Sequence, residues 1–388
     1  MLEPHGLCAV VAAPTALSME KQVRESLRLT HTIELRLDWL QNGKEIDRFL
    51  KRIQFLPIQG ATLIATCRRR AAGGRFKGSV AEELCYLARA VNAGCKWYDL
   101  AIESARKCPP ELLAVLLGTG KRLVSAHFFK GMPGNLEKVA SNLNGVRPDA
   151  VKIAANCETL GQAMRLLEFA AKRKKVIAIP MGELALPARF LALRAKMGLA
   201  YAPVENATAP GQVSLFEMKQ VYHADRIDRD TQVYGVIGDP IGHSLSPVMH
   251  NAAFEARRRN AIYLPFRVRD LKDFVASVPA LGVRGFSVTI PHKERIIRYL
   301  DGCDVLAQKI GAVNTVVVRG GGKLHGYNTD YIGVLRSLER RSVCRSLKSI
   351  CIVLLFHTAW TRLPRSSCCI RSRPALVSAC GLATFWPA

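Results

Sequence analysis

The sequence contains no apolar run approaching the ~20 residues a membrane helix needs. Its N-terminus lacks a charged stretch followed by an apolar core, so no signal or transit peptide is expected. The 12 cysteines include no C-x-x-C pair and no regular spacing. In a long chain without a secretion signal such thiols are expected to be reduced, the place of action cytoplasmic and the chain free of metal. No G-x-G-x-x-G turn occurs anywhere. The net charge is +25, yet the basic residues form no stripe with interleaved aromatics, which argues against a nucleic-acid partner and for small anionic substrates. Part of that charge is local. Arg340, Arg341, Arg345, Lys348, Arg362, Arg365, Arg371 and Arg373 all follow the last acidic residue, Glu339, and without those eight the balance is +17.

What is present is a folded chain. With 388 residues and 49% apolar content it can bury two or three cores at roughly 100–200 residues each. From about residue 7 to 224, short β-rich runs alternate with helical patterns. The strand candidates are "LCAVVAA", "HTIELRLD", "ATLIATC", "KWYDLAI", "KRLVSAHF", "DAVKIAA", "KVIAIPM" and "GLAYAPV". Apolar spacing of 3.6 residues, as in Val80 to Asn92 and Glu158 to Lys172, predicts helices between them. Eight such repeats without a glycine-rich first turn favour a (β/α)8 TIM barrel over a doubly wound sheet.

The stretch "HADRIDRDTQ" is polar and aperiodic and reads as a linker. Beyond it "VYGVIGDP", "AIYLPFRV" and "GFSVTIP" begin a second α/β series. It continues into a hairpin, "NTVVVRGGGKLHGYN", that turns on Gly320, Gly321 and Gly322. The last 49 residues hold no Asp or Glu, one Gly (Gly381) and five of the cysteines, and only "ICIVLLF" resembles a buried strand. The expected division is 1–224 barrel, 225–232 linker, 233–339 second α/β domain and 340–388 irregular tail.

Barrel chemistry sits at the C-terminal ends of the strands, and several of those ends carry charge here. Glu34, Arg36 and Asp38 alternate and so share a face; Arg68 ends strand three, His127 ends strand five, Lys152 lies in strand six, Arg189 stands just past strand seven, and Thr208 to Gln212 follow strand eight. The set suits an imine-forming enzyme. A lysine in an apolar pocket near other cations loses proton affinity and becomes a nucleophile. Histidine transfers protons at neutral pH, and arginine holds a carboxylate with two parallel hydrogen bonds. Taken singly each residue has a plainer reading: a paired or snorkelling lysine, a structural histidine, a Glu34–Arg36 ion pair at the barrel bottom. Together on successive strands they carry more weight.

The motifs "ELRLDWL", "VSAHFF", "AVKIAA", "MGELALPAR" and "TAPGQ" resemble type I 3-dehydroquinate dehydratase, in order and over essentially the whole barrel. The resemblance implies a Schiff base between Lys152 and the C3 ketone of 3-dehydroquinate, with His127 removing the C2 proton and helping water leave from C1. It implies that Glu34, Arg36 and Arg68 hold ring hydroxyls and charge, that Arg189 pairs with the carboxylate, and that Thr208 and Gln212 touch the substrate. No cofactor is implied. Two departures, Ala72 and Ala101, stand where relatives carry glutamate, and a lower rate is expected from the lost polar neighbours.

In the second domain "VIGDPIGHSLSPVMHNAAF" places Ser244 and Ser246 at a helix start, a natural anion site or simply a capped helix. "GFSVTIPHKE" supplies Thr289 and Lys293, "GAVNT" Asn314, and "GYNTD" Thr329 and Asp330; Lys293 and Asp330 read equally as a surface ion pair. In this order the four motifs resemble the substrate domain of shikimate dehydrogenase, which reduces 3-dehydroshikimate to shikimate with NADP as cofactor. The resemblance implies Lys293 and Asp330 as catalytic pair and Ser244, Ser246, Thr289, Asn314 and Thr329 as substrate ligands. The fusion resembles the bifunctional dehydratase–dehydrogenases of plants and some bacteria. The relatives continue with a glycine-rich dinucleotide turn, whereas here "SICIVLLF" leads into "HTAWTRLPRSSCC". A reading-frame shift near Arg341 to Ser349 and an impaired dehydrogenase are therefore expected. The rival readings are a class I aldolase-type barrel, against which Arg189 and "TAPGQ" weigh, and a degenerate binder of pathway intermediates, favoured by Ala72 and Ala101. The expected partners are small molecules, with a homodimer as the assembly to test.

Overall fold

The computed structural model describes residues 6–340, apart from 110, 112, 114–117, 197 and 206–212. The first eight strand–helix units run β1 (Gly6–Val11), α1 (Ala16–Leu27), β2 (Thr32–Arg36), α2 (Gly43–Ile53), β3 (Thr62–Thr66), α3 (Val80–Asn92), β4 (Trp97–Ala101) and α4 (Ile102–Ala105). They continue with β5 (Lys121–Phe128), α5 (Leu136–Asn144), β6 (Ala150–Asn156), α6 (Leu160–Ala171), β7 (Val176–Met181), α7 (Leu186–Arg194), β8 (Leu199–Pro203) and α8 (Leu215–Gln220). Local chemistry sets the helix starts. Thr15, Ser79 and Ser214 each close a capping box, and Asn42, Asn135 and Thr159 cap α2, α5 and α6.

The strands are parallel in the order β7-β6-β5-β4-β3-β2-β1-β8. β1 pairs with both β2 and β8, while β7 and β8 adjoin without ladder pairing among the described residues. The fold is thus a nearly closed parallel barrel with its seam at β7–β8, as the alternation predicts.

Inward side chains stack in layers contributed by alternate strands, the arrangement such barrels impose. Cys8, Ile64, Leu123 and Ile177, from the odd strands, pack with Trp97, Ala150 and Leu199 into an apolar floor. The next even-strand layer is Glu34, Asp99, Lys152 and Tyr201, all buried. Outward-facing Ala9, Val11, Ile33, Leu35, Val124 and Ile153 form the second core, between barrel and helices.

A second sheet follows: β9 (Gln232–Gly238), α9 (Ser246–Ala256), β10 (Ala261–Arg267), α10 (Leu271–Leu281), β11 (Val283–Val288), β12 (Gly302–Cys303), α11 (Val305–Ile310), β13 (Thr315–Val318), β14 (Leu324–Tyr327) and α12 (Asp330–Arg340). Its order is β10-β9-β11-β13-β14-β12; the first three strands are parallel and β13–β14 is the expected hairpin. Gly321 and Gly322 turn it at φ 71° and 79°, values that disfavour a Cβ. Helix α10 packs on α6, where an Asp273 carboxylate oxygen accepts the Leu160 N–H at 3.2 Å.

Three placements differ from the sequence reading. β2 ends at Arg36, and Asp38 lies in a one-turn 3-10 helix (Leu37–Trp39) drawn back by its pairing with Arg36. Arg68 stands two residues beyond β3. Arg189 lies inside α7, which is buried all round from Pro187 to Leu193, and reaches the end of β7 only through its side chain. Thr208, Gln212 and the tail from 341, including "ICIVLLF", lie outside the described residues.

Candidate active sites

Lys152 Nζ contacts Asp99 Oδ2, lies 3.4 Å from Glu34 Oε1, and sits 4.6 Å from the centroid of the Tyr201 ring. These four residues come one each from β2, β4, β6 and β8. The lysine has a cation beside it, as anticipated, since Arg68 shares Asp99 Oδ2 with it, but two carboxylates also face it and compensate its charge, as burial of an ammonium requires. Glu34 also accepts from Thr66 Oγ1 at 2.8 Å, and its ion-pair partner is the lysine, while Arg36 pairs with Asp38.

Arg68 links this layer to the barrel mouth. Its Nη2 is 2.9 Å from Asp99 Oδ2 and its Nη1 is 2.7 Å from His127 Nε2. Ser125 Oγ donates to Asp99 Oδ1 at 2.5 Å. Burial alone would raise the Asp99 carboxyl, but Lys152 and Arg68 drive it well below the usual range. For His127, burial and then the positive charges of Arg68 and Lys152 act together and push the imidazole well below its ordinary value. A neutral ring whose Nε2 accepts from Arg68 results. Arg36 forms a two-armed pair with Asp38, at 2.9 and 2.8 Å. Burial by itself would lower the guanidinium, yet Asp38 more than offsets it and the net shift is upward. Three cations thus face three carboxylates, with one neutral histidine at the rim.

Arg189 is not brought into this cluster. Its Nε donates to the Pro180 carbonyl at 3.4 Å, and it lines the narrow gap between β7 and β8 with Ile179, Leu199 and Tyr201. Burial lowers this guanidinium to about 10.

The second sheet carries a cavity of about 1030 Å³. Ser244, Ser246, Thr289, Lys293, Asn314, Thr329 and Asp330 all line it, so every residue singled out in this half meets in one place. Lys293 Nζ donates to Asp330 Oδ2 at 2.5 Å, while Asn314 Nδ2 donates to Asp330 Oδ1 at 2.7 Å and Thr329 Oγ1 at 2.9 Å. The Thr329 N–H returns a bond to Asn314 Oδ1 at 2.9 Å. Asn314 thereby fixes the carboxylate that holds the lysine. The serines do not cap the helix: Leu245 holds that position, and Ser244 Oγ accepts the Ser246 N–H at 3.3 Å.

The model for type I 3-dehydroquinase matches residues 7–229. The chain belongs to the type I 3-dehydroquinase family. In this 3-dehydroquinase-family chain, residues 236–316 also match the substrate binding domain of shikimate dehydrogenase. The bifunctional 3-dehydroquinate dehydratase/shikimate dehydrogenase of Arabidopsis thaliana is 32% identical over 346 residues, covering 87% of this chain and 56% of that protein. The shikimate dehydrogenase (NADP(+)) of Bacillus mycoides is 59% identical over 110 residues, covering 28% of this chain and 39% of that protein. The chain therefore spans about half, or less, of the length of these relatives. The solved 3-dehydroquinate dehydratase of Geobacillus kaustophilus shares the barrel fold, at 18% identity and TM-score 0.50, covering 56% of this chain and 89% of that one.

Within the 3-dehydroquinase barrel, the sequence reading missed Asp99 as the partner of Lys152, and with it Thr66, Ser125 and Tyr201. A signal for Asp99 existed. In "KWYDLAI" it stands two residues from Trp97 and so shares the inward face, where an acid needs a cation as much as Lys152 needs an anion. Among the described residues no His/Cys/Asp/Glu group could hold a metal, and no helix is long and apolar enough to cross a membrane.

Proposed function

We propose that the chain dehydrates 3-dehydroquinate to 3-dehydroshikimate through an imine on Lys152, and that its second cavity binds 3-dehydroshikimate and shikimate. The observation carrying the first part is the buried Lys152 ammonium one layer below His127, joined to it through Asp99 and Arg68. Lys152, as the free amine, adds to the C3 ketone, and loss of water gives a cationic imine. Neutral His127 then takes the C2 proton, leaving an enamine. The resulting imidazolium is a stronger acid than usual because its neighbours disfavour it, which suits donation to the departing C1 hydroxyl. Hydrolysis of the conjugated imine returns Lys152 and releases product, with one water lost overall. Arg36 and Arg68 are the cations available to the substrate's hydroxyls and carboxylate. Arg189 is assigned to the carboxylate by resemblance, which requires it to leave the β7–β8 gap.

For the second cavity, hydroxyls, an amide and a Lys–Asp pair make a donor set suited to a polyhydroxy carboxylate. NADP would supply hydride. Among the described residues no glycine-rich strand-to-helix turn faces the cavity to let backbone N–H groups approach a pyrophosphate. These residues do not fit the dinucleotide. The proposed division, 1–224, 225–232, 233–339 and a tail from 340, is supported by the two separate sheets.

The test is borohydride reduction of the chain with 3-dehydroquinate, followed by peptide mapping. A reduced adduct on the Lys152 peptide, with conjugated-enone absorbance appearing in unreduced samples, is the expected result. Bound substrate without adduct or enone would favour a non-catalytic binder and refute the proposal.

A further inference from the structure

The even-strand layer of the barrel holds one residue that the imine reading does not use. Tyr201 faces Lys152 across the interior, its ring centroid 4.6 Å from Nζ, on a strand different from those of both carboxylates. Only 7% of Tyr201 is exposed, and its hydroxyl finds no hydrogen-bond partner among the described residues. A buried phenol that makes no hydrogen bond loses hydration without return, so what it offers this layer is the ring. An aromatic face carries negative charge density, and a cation above it in a desolvated site is held more strongly than at a surface.

We propose that Tyr201 is a positioning residue, whose ring holds the Lys152 nitrogen in register with the two carboxylates whenever that nitrogen is positively charged. This rests on the dehydratase reading for its catalytic consequence. The nitrogen is cationic as the resting ammonium and again in the imine before C2 deprotonation, but neutral in the attacking amine and the enamine. The ring therefore steadies the same atom at the start of turnover and at the proton-transfer step. Asp99 and Glu34 hold it by charge, and Tyr201 by its quadrupole. Burial pushes the Tyr201 phenol well above its ordinary value, so the ring stays neutral.

The test separates ring electronics from ring volume. Tyr201→Phe keeps the face and is expected to retain kcat within about twofold. Progressive fluorination of phenylalanine at position 201, introduced by nonsense suppression, keeps the shape while draining the face. It is expected to lower kcat stepwise by about 10- to 30-fold at the pentafluoro residue, with KM little changed. A flat series would assign Tyr201 to barrel filling and overturn the inference. A denaturation cycle crossing the same substitutions with Lys152→Met reads the contact without substrate: fluorination should destabilise the chain with Lys152 more than the chain with methionine. Equal effects in both backgrounds would also overturn it. Failure of the wild-type borohydride adduct would instead refute the dehydratase reading, and the cycle would still decide the ring–cation contact.

Discussion

Asp99→Asn is the perturbation that probes the barrel site most directly, because this carboxylate faces Lys152 and Arg68 at once. At 2.9 Å and an effective dielectric of about 20, attraction to Arg68 alone is about 6 kcal/mol before desolvation. Removing one member of a buried pair costs a net of about 3–5 kcal/mol, since the other charge is stranded. Here the lower end, about 3 kcal/mol, is expected: the asparagine keeps an oxygen for the Ser125 hydroxyl, and Lys152 retains Glu34 at 3.4 Å. The sign with pH follows from the depressed carboxyl. Its contribution is complete above the unfolded carboxylate range, near 4, and fades as pH falls toward the folded value. Urea unfolding at pH 7 should therefore show the full gap between wild type and variant, and the gap should narrow in strong acid. A gap below about 1 kcal/mol at pH 7 would refute the account of Asp99 as principal counterion. A double-mutant cycle with Lys152→Met then apportions it, and a coupling of at least about 1.5 kcal/mol is expected between groups in direct contact.

Three further outcomes follow from the geometry. Because His127 is held well below the ordinary histidine range, its basic form persists into mild acid. The acid limb of kcat/KM attributable to it should lie well below the ordinary histidine value near 6.5, and a limb at that value would contradict the Arg68–His127 contact. Glu83 is fully buried, accepts from Ser104 Oγ at 2.6 Å and is raised to about 7 by burial. It thus loses stability for the chain as pH climbs from about 4.5 through 7, and Glu83→Gln should be the more stable chain at pH 8 by up to about 3 kcal/mol, with no gain at pH 4. Asn314→Ala should free Asp330 and Thr329 and weaken shikimate binding by about tenfold in calorimetry, the equivalent of one to two lost hydrogen bonds. Unchanged affinity would place the ligand elsewhere.

Local pattern revealed the elements because each repeats a short chemical rule. The 3.6-residue spacing from Val80 to Asn92 yields a helix with those same ends, closed by the Ser79–Glu82 box. Triple glycine yields the β13–β14 turn. Lys152, Glu34 and His127 stood out as titratable groups on apolar strands and Arg68 as a cation just past one, which is why their meeting was legible. Their pairing was not. Asp99 reaches Lys152 across the interior from a strand two places away, and no spacing along the chain encodes that distance. The setting of Arg189 was equally illegible. Its motif placed it just past strand seven, and the helix starting at Leu186, with Pro187 in its first turn, carries the guanidinium into the β7–β8 gap.

Among the described residues, the apolar floor under Lys152 closes the barrel on the side away from His127. Cys8, Ile64, Leu123 and Ile177 seal the lower end together with Trp97, Ala150 and Leu199. Product held at the mouth therefore competes with substrate for the empty barrel, so its inhibition should be strictly competitive.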